Sequence, residues 1–195
     1  MSEDLPLRPN TEKGQVRVRL WNEAIETHRA GRIRTAEVRS SDYLGAAAVT
    51  PMTVLVLPKV LAGKRASAPA DLDAPHSWTY VGDVARTLLA VAGDAGSWGR
   101  AWHVPTGPPR SVREVATRAA ALADVPAPRL SAMPYSVLWL GGLFSPMAHA
   151  VRETQYQFRK PFVLDSTAAT EAFGISPTPL DDVLHETIAD LRSRS

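Results

Sequence analysis

The chain contains no cysteine. That absence excludes a disulfide framework, a thiolate nucleophile, a cysteine zinc site and an iron–sulfur cluster. It also lacks a dominant charge: 22 Lys and Arg stand against 20 Asp and Glu, a formal net charge of +2. A balance this even leaves no electrostatic footprint for nucleic acid. Arg17, Arg19, Arg32 and Arg34 can gather into a basic patch, but the interleaved aromatics that stack bases are missing, so a solvated face is the simpler reading. None of the five histidines pairs with another at ligand spacing, so no metal site is expected. Met1 is followed by Ser2, Glu3 and Asp4 rather than by basic residues and an apolar run. No targeting peptide is visible there, and a cytoplasmic location is expected.

What is present fits a globular α/β chain. The 195 residues are 45% hydrophobic and 22% charged, enough to bury a sizeable core and too apolar for wholesale disorder. Val16, Leu20/Trp21, Ala24/Ile25 and His28 recur at helical spacing over 15–30, with Gly31 as a stop. Residues 32–40 read as a short strand, 41–51 as a loop, 58–62 as a short helix and 66–75 as irregular. "HSWTYV" (76–81) has the aromatic and β-branched content of a strand, and a helix is expected over 83–92. A strand is expected at 101–104. Ser111 and Glu114 then form a capping-box pattern, opening a helix that runs to Asp124. Residues 129–133 read as extended. The stretch 134–158 reads as mainly helical, broken at Gly141-Gly142 and Pro146. "FVLD" (162–165) reads as a strand. Helices follow at 166–173, with Gly174 as C-cap, and after Thr178, with Pro179 in first helical position.

Two patterns point to familiar functions and are read otherwise. Gly93, Gly96 and Gly99 match G-x-x-G-x-x-G, the spacing of a dinucleotide-binding turn. That turn works between a strand and a following helix, whose amides meet the pyrophosphate. Here a helix precedes and a strand follows, so a plain loop is expected. Residues 130–151 carry no Asp, Glu, Lys or Arg and are long enough to span a bilayer. Pro134, Ser136, the glycine pair, Ser145-Pro146 and His149 favour a buried, kinked helix pair over a membrane segment.

The order of segments carries more than any single motif. "LRP" (7–9) precedes a helix; "EVRSSDYLG" (37–45), "HSWTYVGDVARTLL" (76–89), "AWHVPTGPPRSVREVA" (101–116) and "FVLDSTAATEAFGISPTPLDDVL" (162–184) follow. This set resembles the C-terminal half of extended short-chain dehydrogenases/reductases, the NAD-dependent epimerase/dehydratase family. "Y-V-x-D-V-A" at Tyr80–Ala85 is its most specific match. The resemblance implies an incomplete Rossmann-like, doubly wound α/β sheet, with later strands and helices only, plus a small C-terminal α+β substrate lobe. It implies one partial domain over 1–195, in which 1–50 and 76–110 belong to the cofactor sheet and 51–75 and 111–195 mainly to the interleaved lobe. The implied cofactor is NAD or NADP, with a complete site absent from this chain. The implied activity is hydride transfer or an epimerase-like oxidation and reduction. A non-catalytic binding or regulatory module derived from the family is the alternative. A parallel sheet without its first strands exposes an edge, so marginal stability or self-association through that edge is expected.

The resemblance also assigns candidate residues. Lys13 and Arg17 fall at the positions of the family's Tyr-x-x-x-Lys pair, where a Tyr relays a proton. An Arg cannot give up a proton in proteins, so that relay is absent or changed. The two are either solvated helix residues or donors to a carbonyl or to the cofactor ribose. Ser40 and Ser41 are the cofactor-binding candidates. Asp42, Tyr43, His76 and Arg152 are the substrate-binding ones, although Asp42 can equally form an Asx-turn. Arg152 and its neighbour Glu153 either project into the substrate pocket or form an exposed helix pair. His76 stands where sugar-nucleotide epimerases often carry a phosphate-pairing Arg, and an imidazole supplies no permanent bidentate charge. The expected ligand is therefore a small molecule other than a nucleotide sugar, with no nucleic acid or membrane partner. Trp78, Tyr80, Trp139, Phe144, Tyr156 and Phe162 would suit an apolar pocket.

Overall fold

Thr11 starts the first helix three residues earlier than the apolar periodicity indicates. Its hydroxyl accepts the Gly14 amide (3.1 Å), and helix α1 runs Glu12–Arg29. Glu12 in the first turn and His28 and Arg29 in the last match the helix dipole. Helix α1 buries Ile25, with Trp21, Ala24 and His28 half-buried beside it, while Val16 and Leu20 stay exposed. The computed structural model describes residues 1–134, 136–137, 139 and 156–194.

The remaining described elements intersperse strands with helices. They are β1 (Glu37–Arg39), β2 (Asp42–Leu44), a π-helical turn (Met52–Val56) running into α2 (Leu57–Leu61), β3 (Ala66–Ala68) and β4 (Trp78–Tyr80). Then come α3 (Val81–Gly93), β5 (Ala101–His103), α4 (Val112–Leu122), β6 (Leu130–Ala132), α5 (Tyr156–Arg159), α6 (Thr167–Phe173) and α7 (Leu180–Ser193). Among the described residues the strands join in three parallel pairs, β1 with β5, β2 with β4 and β3 with β6.

Several elements differ from the sequence expectation for identifiable reasons. The strand expected over 32–40 shortens to Glu37–Arg39, the part that β5 pairs. Residues 42–44 were expected in a loop and form β2, because Leu44 is fully buried and β4 supplies the ladder. Ala66–Ala68, expected irregular, is β3; its small side chains carry no strand signature, and the pairing with β6 decides it. The strand expected over 162–165 is reduced to a bridge from Phe162 to His76. Pro179 has an extended ψ of 139° and is the N-cap, so α7 starts at Leu180. Asp181 and Asp182 occupy its positive end. The apolar run 130–151 begins as strand β6; residues 135, 138 and 140–151 of it lie outside the described residues. Among the described residues no helix is long and apolar enough to cross a membrane.

The chain divides into two units. One comprises Met1–Ser40, Gly82–Thr106 and Leu164–Pro177, and the other Ser41–Val81, Gly107–Val163 and Thr178–Ser195. In the first, Val91, Trp102 and Ala169 form a small core, with Ala36, Val38 and Phe173 packed on it. The second has the larger core, in which Leu44, Met52, Leu57, Val60, Val115 and Leu184 are essentially fully buried. Burial of each such side chain contributes about 1.5–3 kcal/mol before entropy is counted.

Helix α4 carries the cap that its sequence announces. The Glu114 amide donates to Ser111 Oγ (3.2 Å), and the Ser111 amide donates to Glu114 Oε2 (2.7 Å). The bond from the Ser111 amide, then that from its hydroxyl, holds the Glu114 carboxyl below the ordinary glutamate range. A carboxyl lowered in the folded state stabilises at neutral pH and loses that contribution as pH falls through its lowered range. Ser111→Ala is expected to cost about 1 kcal/mol in urea unfolding. The smaller cost of Glu114→Gln is expected to shrink on acidification through the carboxylate range. A cost that stays constant with pH would show that the carboxylate does not hold the cap.

Candidate functional site

The second unit gathers buried polar side chains around the start of β2 and β4. His76 is 2% exposed, and its Nε2 lies 2.9 Å from Asp42 Oδ2 and 3.4 Å from Ser41 Oγ. A proton on Nε2 that donates to Asp42 is the tautomer fitting these partners. Nδ1 is buried and has no partner among the described residues. The imidazole is stacked against Phe158 (centroids 4.5 Å apart, 11° between planes) and Phe162 (5.4 Å, 22°), with Trp78 tilted beside it at 4.8 Å. Its backbone is held as firmly. The His76 amide donates to the Arg110 carbonyl (3.3 Å), and the Arg110 amide returns the bond (2.8 Å). The Ser41 amide donates to Thr79 Oγ1 (3.1 Å), and Trp78 Nε1 donates to the Arg110 carbonyl (2.8 Å).

Asp42 is the member of this group that reaches the surface. Its side chain is 17% exposed, with Oδ2 engaged by His76. A carboxylate held at one oxygen by a fixed partner is an oriented hydrogen-bond acceptor. The cavity beside Trp78 and Phe158, which Met52 and Val56 also line, has a volume of about 10 Å³ and admits at most one water. It is no ligand pocket. Of the aromatics considered for one, Trp78 is buried, while Trp139 and Tyr156 are largely exposed.

The other candidates fall in different places. Lys13 and Arg17 are exposed on the first turns of α1 in the first unit. Ser40 closes that unit and Ser41 opens the second, buried against Thr79 and His76. Tyr43 pairs with Thr79 in the β2–β4 register, and its carbonyl accepts the Thr50 hydroxyl (3.3 Å). The structure therefore brings Ser41, Asp42 and His76 together. Arg152, Glu153 and Phe144 lie outside the described residues.

The segment after β2 lies in the loop expected over 41–51, but its anchorage on α7 was not expected. Gly45, at φ +120°, has no room for a side chain, since a Cβ there would lie 2.6 Å from Val81 Cγ2. Ala47 holds a positive φ of 59°. Three successive amides, those of Gly45, Ala46 and Ala47, donate to Thr187 Oγ1 (2.9 Å), Glu186 Oε1 (2.8 Å) and Asp190 Oδ2 (3.2 Å) of α7. One hydroxyl and two carboxylates of α7 thus satisfy three successive backbone donors of the loop. Tyr80 Oη donates to the second oxygen of Glu186. The available signal was Thr187, a hydroxyl inside the apolar stripe Val183, Leu184 and Ile188.

The first unit carries a separate polar group at the end of β5. The His103 amide donates to Glu3 Oε1 (3.0 Å), and its Nδ1 lies 2.8 Å from the Asp165 carbonyl. Bonds from the Thr167 hydroxyl and then its amide hold the Asp165 carboxyl below its ordinary range. The glycine run lies between α3 and β5, and a Cβ on Gly99 would meet His28 Nε2 at 2.8 Å. Its amides open no helix of a strand–turn–helix unit, so it does not fit the pyrophosphate of a dinucleotide. Among the described residues no group of three or more His, Cys, Asp or Glu can hold a metal.

No protein-family model and no curated protein sequence matches the chain. Solved structures do. All of the chain superposes on 57% of UDP-glucuronic acid 4-epimerase from Bacillus cereus, solved with UDP-glucuronic acid and NAD (TM-score 0.79, 15% identity). It also superposes on 60% of RMD from Pseudomonas aeruginosa, solved with NADPH (TM-score 0.77, 16% identity). A nucleoside-diphosphate-sugar epimerase from Pseudomonas aeruginosa matches 99% of the chain over 60% of its own (TM-score 0.67, 22% identity). At these identities the likeness is one of fold, a partial Rossmann-like α/β architecture, and the chain spans less than two thirds of the proteins it matches.

Removing the partner of a buried imidazole leaves a polar group to be desolvated for nothing in return. Asp42→Ala is expected to lower the unfolding free energy by about 1–3 kcal/mol. Asp42→Asn, which keeps an acceptor oxygen, is expected to cost less. Equal costs in denaturant titrations would mean that the bond to His76 does not hold β2 in place.

Proposed function

We propose that the chain is the substrate-binding portion of an NAD(P)-dependent oxidoreductase or epimerase-like protein, corresponding to the C-terminal half of that family. Its cofactor site is incomplete, and the chain is inactive alone. The observation that carries this reading is the oriented Asp42 carboxylate, anchored by a buried His76 on a parallel strand pair. The free oxygen of Asp42 accepts a hydrogen bond from a substrate hydroxyl, and His76 fixes the direction of that acceptor. An anionic diphosphate meets like charge at Asp42 and no guanidinium at position 76, so the ligand is a small molecule other than a nucleotide sugar. The setting is cytoplasmic. Neither nucleic acid nor a membrane is a partner.

A second reading, a binding or regulatory module that has lost its chemistry, is favoured by Lys13 and Arg17. Both are exposed on α1 at the positions where the resemblance calls for Tyr and Lys. The two readings share the Asp42 acceptor. They part on turnover once a complete cofactor-binding partner is supplied.

Calorimetric titration with NADH and NADPH is expected to give no saturable micromolar binding. Saturation-transfer NMR is expected to detect neutral hydroxylated probes such as glucose, with the signal lost in Asp42→Ala, and to detect no UDP-glucuronic acid. Micromolar NADH or NADPH binding would end the incomplete-site reading. UDP-glucuronic acid binding that depends on Asp42 would end the exclusion of nucleotide sugars.

A further inference from the structure

Strands β3 and β6 begin on the same three-residue pattern. Arg65-Ala66-Ser67 and Arg129-Leu130-Ser131 both read Arg-x-Ser, and the parallel ladder sets them in register. Ala66 stands beside Leu130, and Ser67 beside Ser131. The Ala66 amide donates to the Arg129 carbonyl (3.1 Å), so the register carries back to Arg65 and Arg129. Alternate residues of a strand share a face. Ala66 and Leu130 turn to the core of the second unit, Ala66 being 1% exposed. Arg65, Arg129 and Ser131 are exposed and Ser67 is half-buried, which puts both guanidiniums and both hydroxyls on the opposite face. The Oγ atoms of Ser67 and Ser131 lie 3.1 Å apart, as neighbours on one face do.

Every polar side chain on this face can donate. Arg129 Nη2 gives one bond to the Gly63 carbonyl (2.9 Å), which fixes the head of that side chain and leaves most of its N–H groups over. Among the described residues Arg65 has no partner, and no carboxylate pairs with either arginine. Ser67 reaches the Ser131 hydroxyl or, at 3.4 Å, its carbonyl, and the Ser131 proton is then left to donate outward. Like charges held side by side across a strand pair destabilise it, so an anion between the two arginines relieves a repulsion that the backbone imposes. Neighbours are about 4.8 Å apart across the pair and about 6.6 Å apart along each strand. A tetrahedral oxyanion spans such a frame through charge-assisted bonds of about 2.8 Å. A carboxylate has two oxygens and satisfies one guanidinium fork. A terminal phosphate has three oxygens and two charges, enough for both arginines and a hydroxyl.

We propose that the outer face of the β3–β6 pair is a binding site for a terminal phosphate group. Arg65 and Arg129 each donate to one of its oxygens, and the Ser131 hydroxyl donates to the third. A phosphodiester or a bridged diphosphate offers only two free oxygens and one charge at each phosphorus, and it leaves part of this donor set unmet. Both strands and all the donors belong to this chain. The site shares no residue with the Asp42 group and does not rest on the ligand reading given to it.

Amide NMR of the full chain tests it, at constant ionic strength and at a pH well above the second phosphate pKa of about 6. Inorganic phosphate and methyl phosphate are expected to shift the amides of 66–68 and 130–132 saturably. Dimethyl phosphate, and chloride at matched ionic strength, are expected to leave them in place. Arg65→Gln removes no bond within the described residues and is expected to weaken phosphate binding about tenfold. Arg65→Lys, which keeps the charge and loses the fork, is expected to recover only part of that. Ser131→Ala is expected to weaken binding by a smaller factor. Arg129→Gln also gives up the bond to Gly63, so Arg65→Gln carries the decision, with its spectrum away from the two strands showing that it is folded. An absence of saturation, shifts confined to other amides, an equal response to dimethyl phosphate, or an affinity unchanged in Arg65→Gln would overturn the proposal.

Discussion

The bond between the buried His76 imidazole and the Asp42 carboxylate is the constraint on which the second unit turns. An imidazole that is almost wholly removed from water loses its hydration and must recover it from the protein. Asp42 supplies that recovery at one nitrogen, and aromatic faces enclose the rest of the ring. The backbone of His76 is tied down through Arg110 and bridges to Phe162. Three stretches of chain, 41–42, 110 and 158–162, therefore meet at this one residue. The placement of the Asp42 carboxylate, and with it any chemistry at the head of β2, follows from that junction.

The unpartnered Nδ1 gives the junction an asymmetry. Among the described residues only one of the ring's two nitrogens is engaged. The arrangement fixes an acceptor. It differs from a Ser–His–Asp relay, in which Ser and Asp engage opposite nitrogens and the ring passes a proton between them. Here Ser41 and Asp42 both approach Nε2. The geometry suits orientation of a ligand group better than activation of a serine.

What could be read from the sequence was what local chemistry decides. The Ser111–Glu114 cap, the glycine that ends α6 and the aromatic strand β4 all announce themselves within a few residues. β2 and β3 do not. Their partners, β4 and β6, lie far along the chain, and Ala66–Ala68 has no β-branched or aromatic residue to mark it. The site was legible to the same degree. Ser41, Asp42 and His76 were named individually, by their positions in the segments that carry the family resemblance. Their convergence was not legible, because it depends on the register that sets Asp42 beside Trp78. Phe158 went unremarked, since an aromatic in a mainly helical stretch gives no sign that it will stack on an imidazole. Val16 and Leu20 belong to the helical period of α1 but not to its buried stripe, because the neighbours, and not the period, decide which side is covered.

The acceptors that α7 lends to the loop after β2 lie about 140 positions downstream of the amides they serve, with a separation of 142 between Gly45 and Thr187. Synthesis runs from Gly45 toward Thr187, so the bend is made well before the helix that supplies its acceptors. Until α7 is present, the amides of that bend must rely on water. Consolidation of this unit therefore waits on the closure of a very long loop. Loss of α7 would strike the bend after β2 as directly as the helix itself.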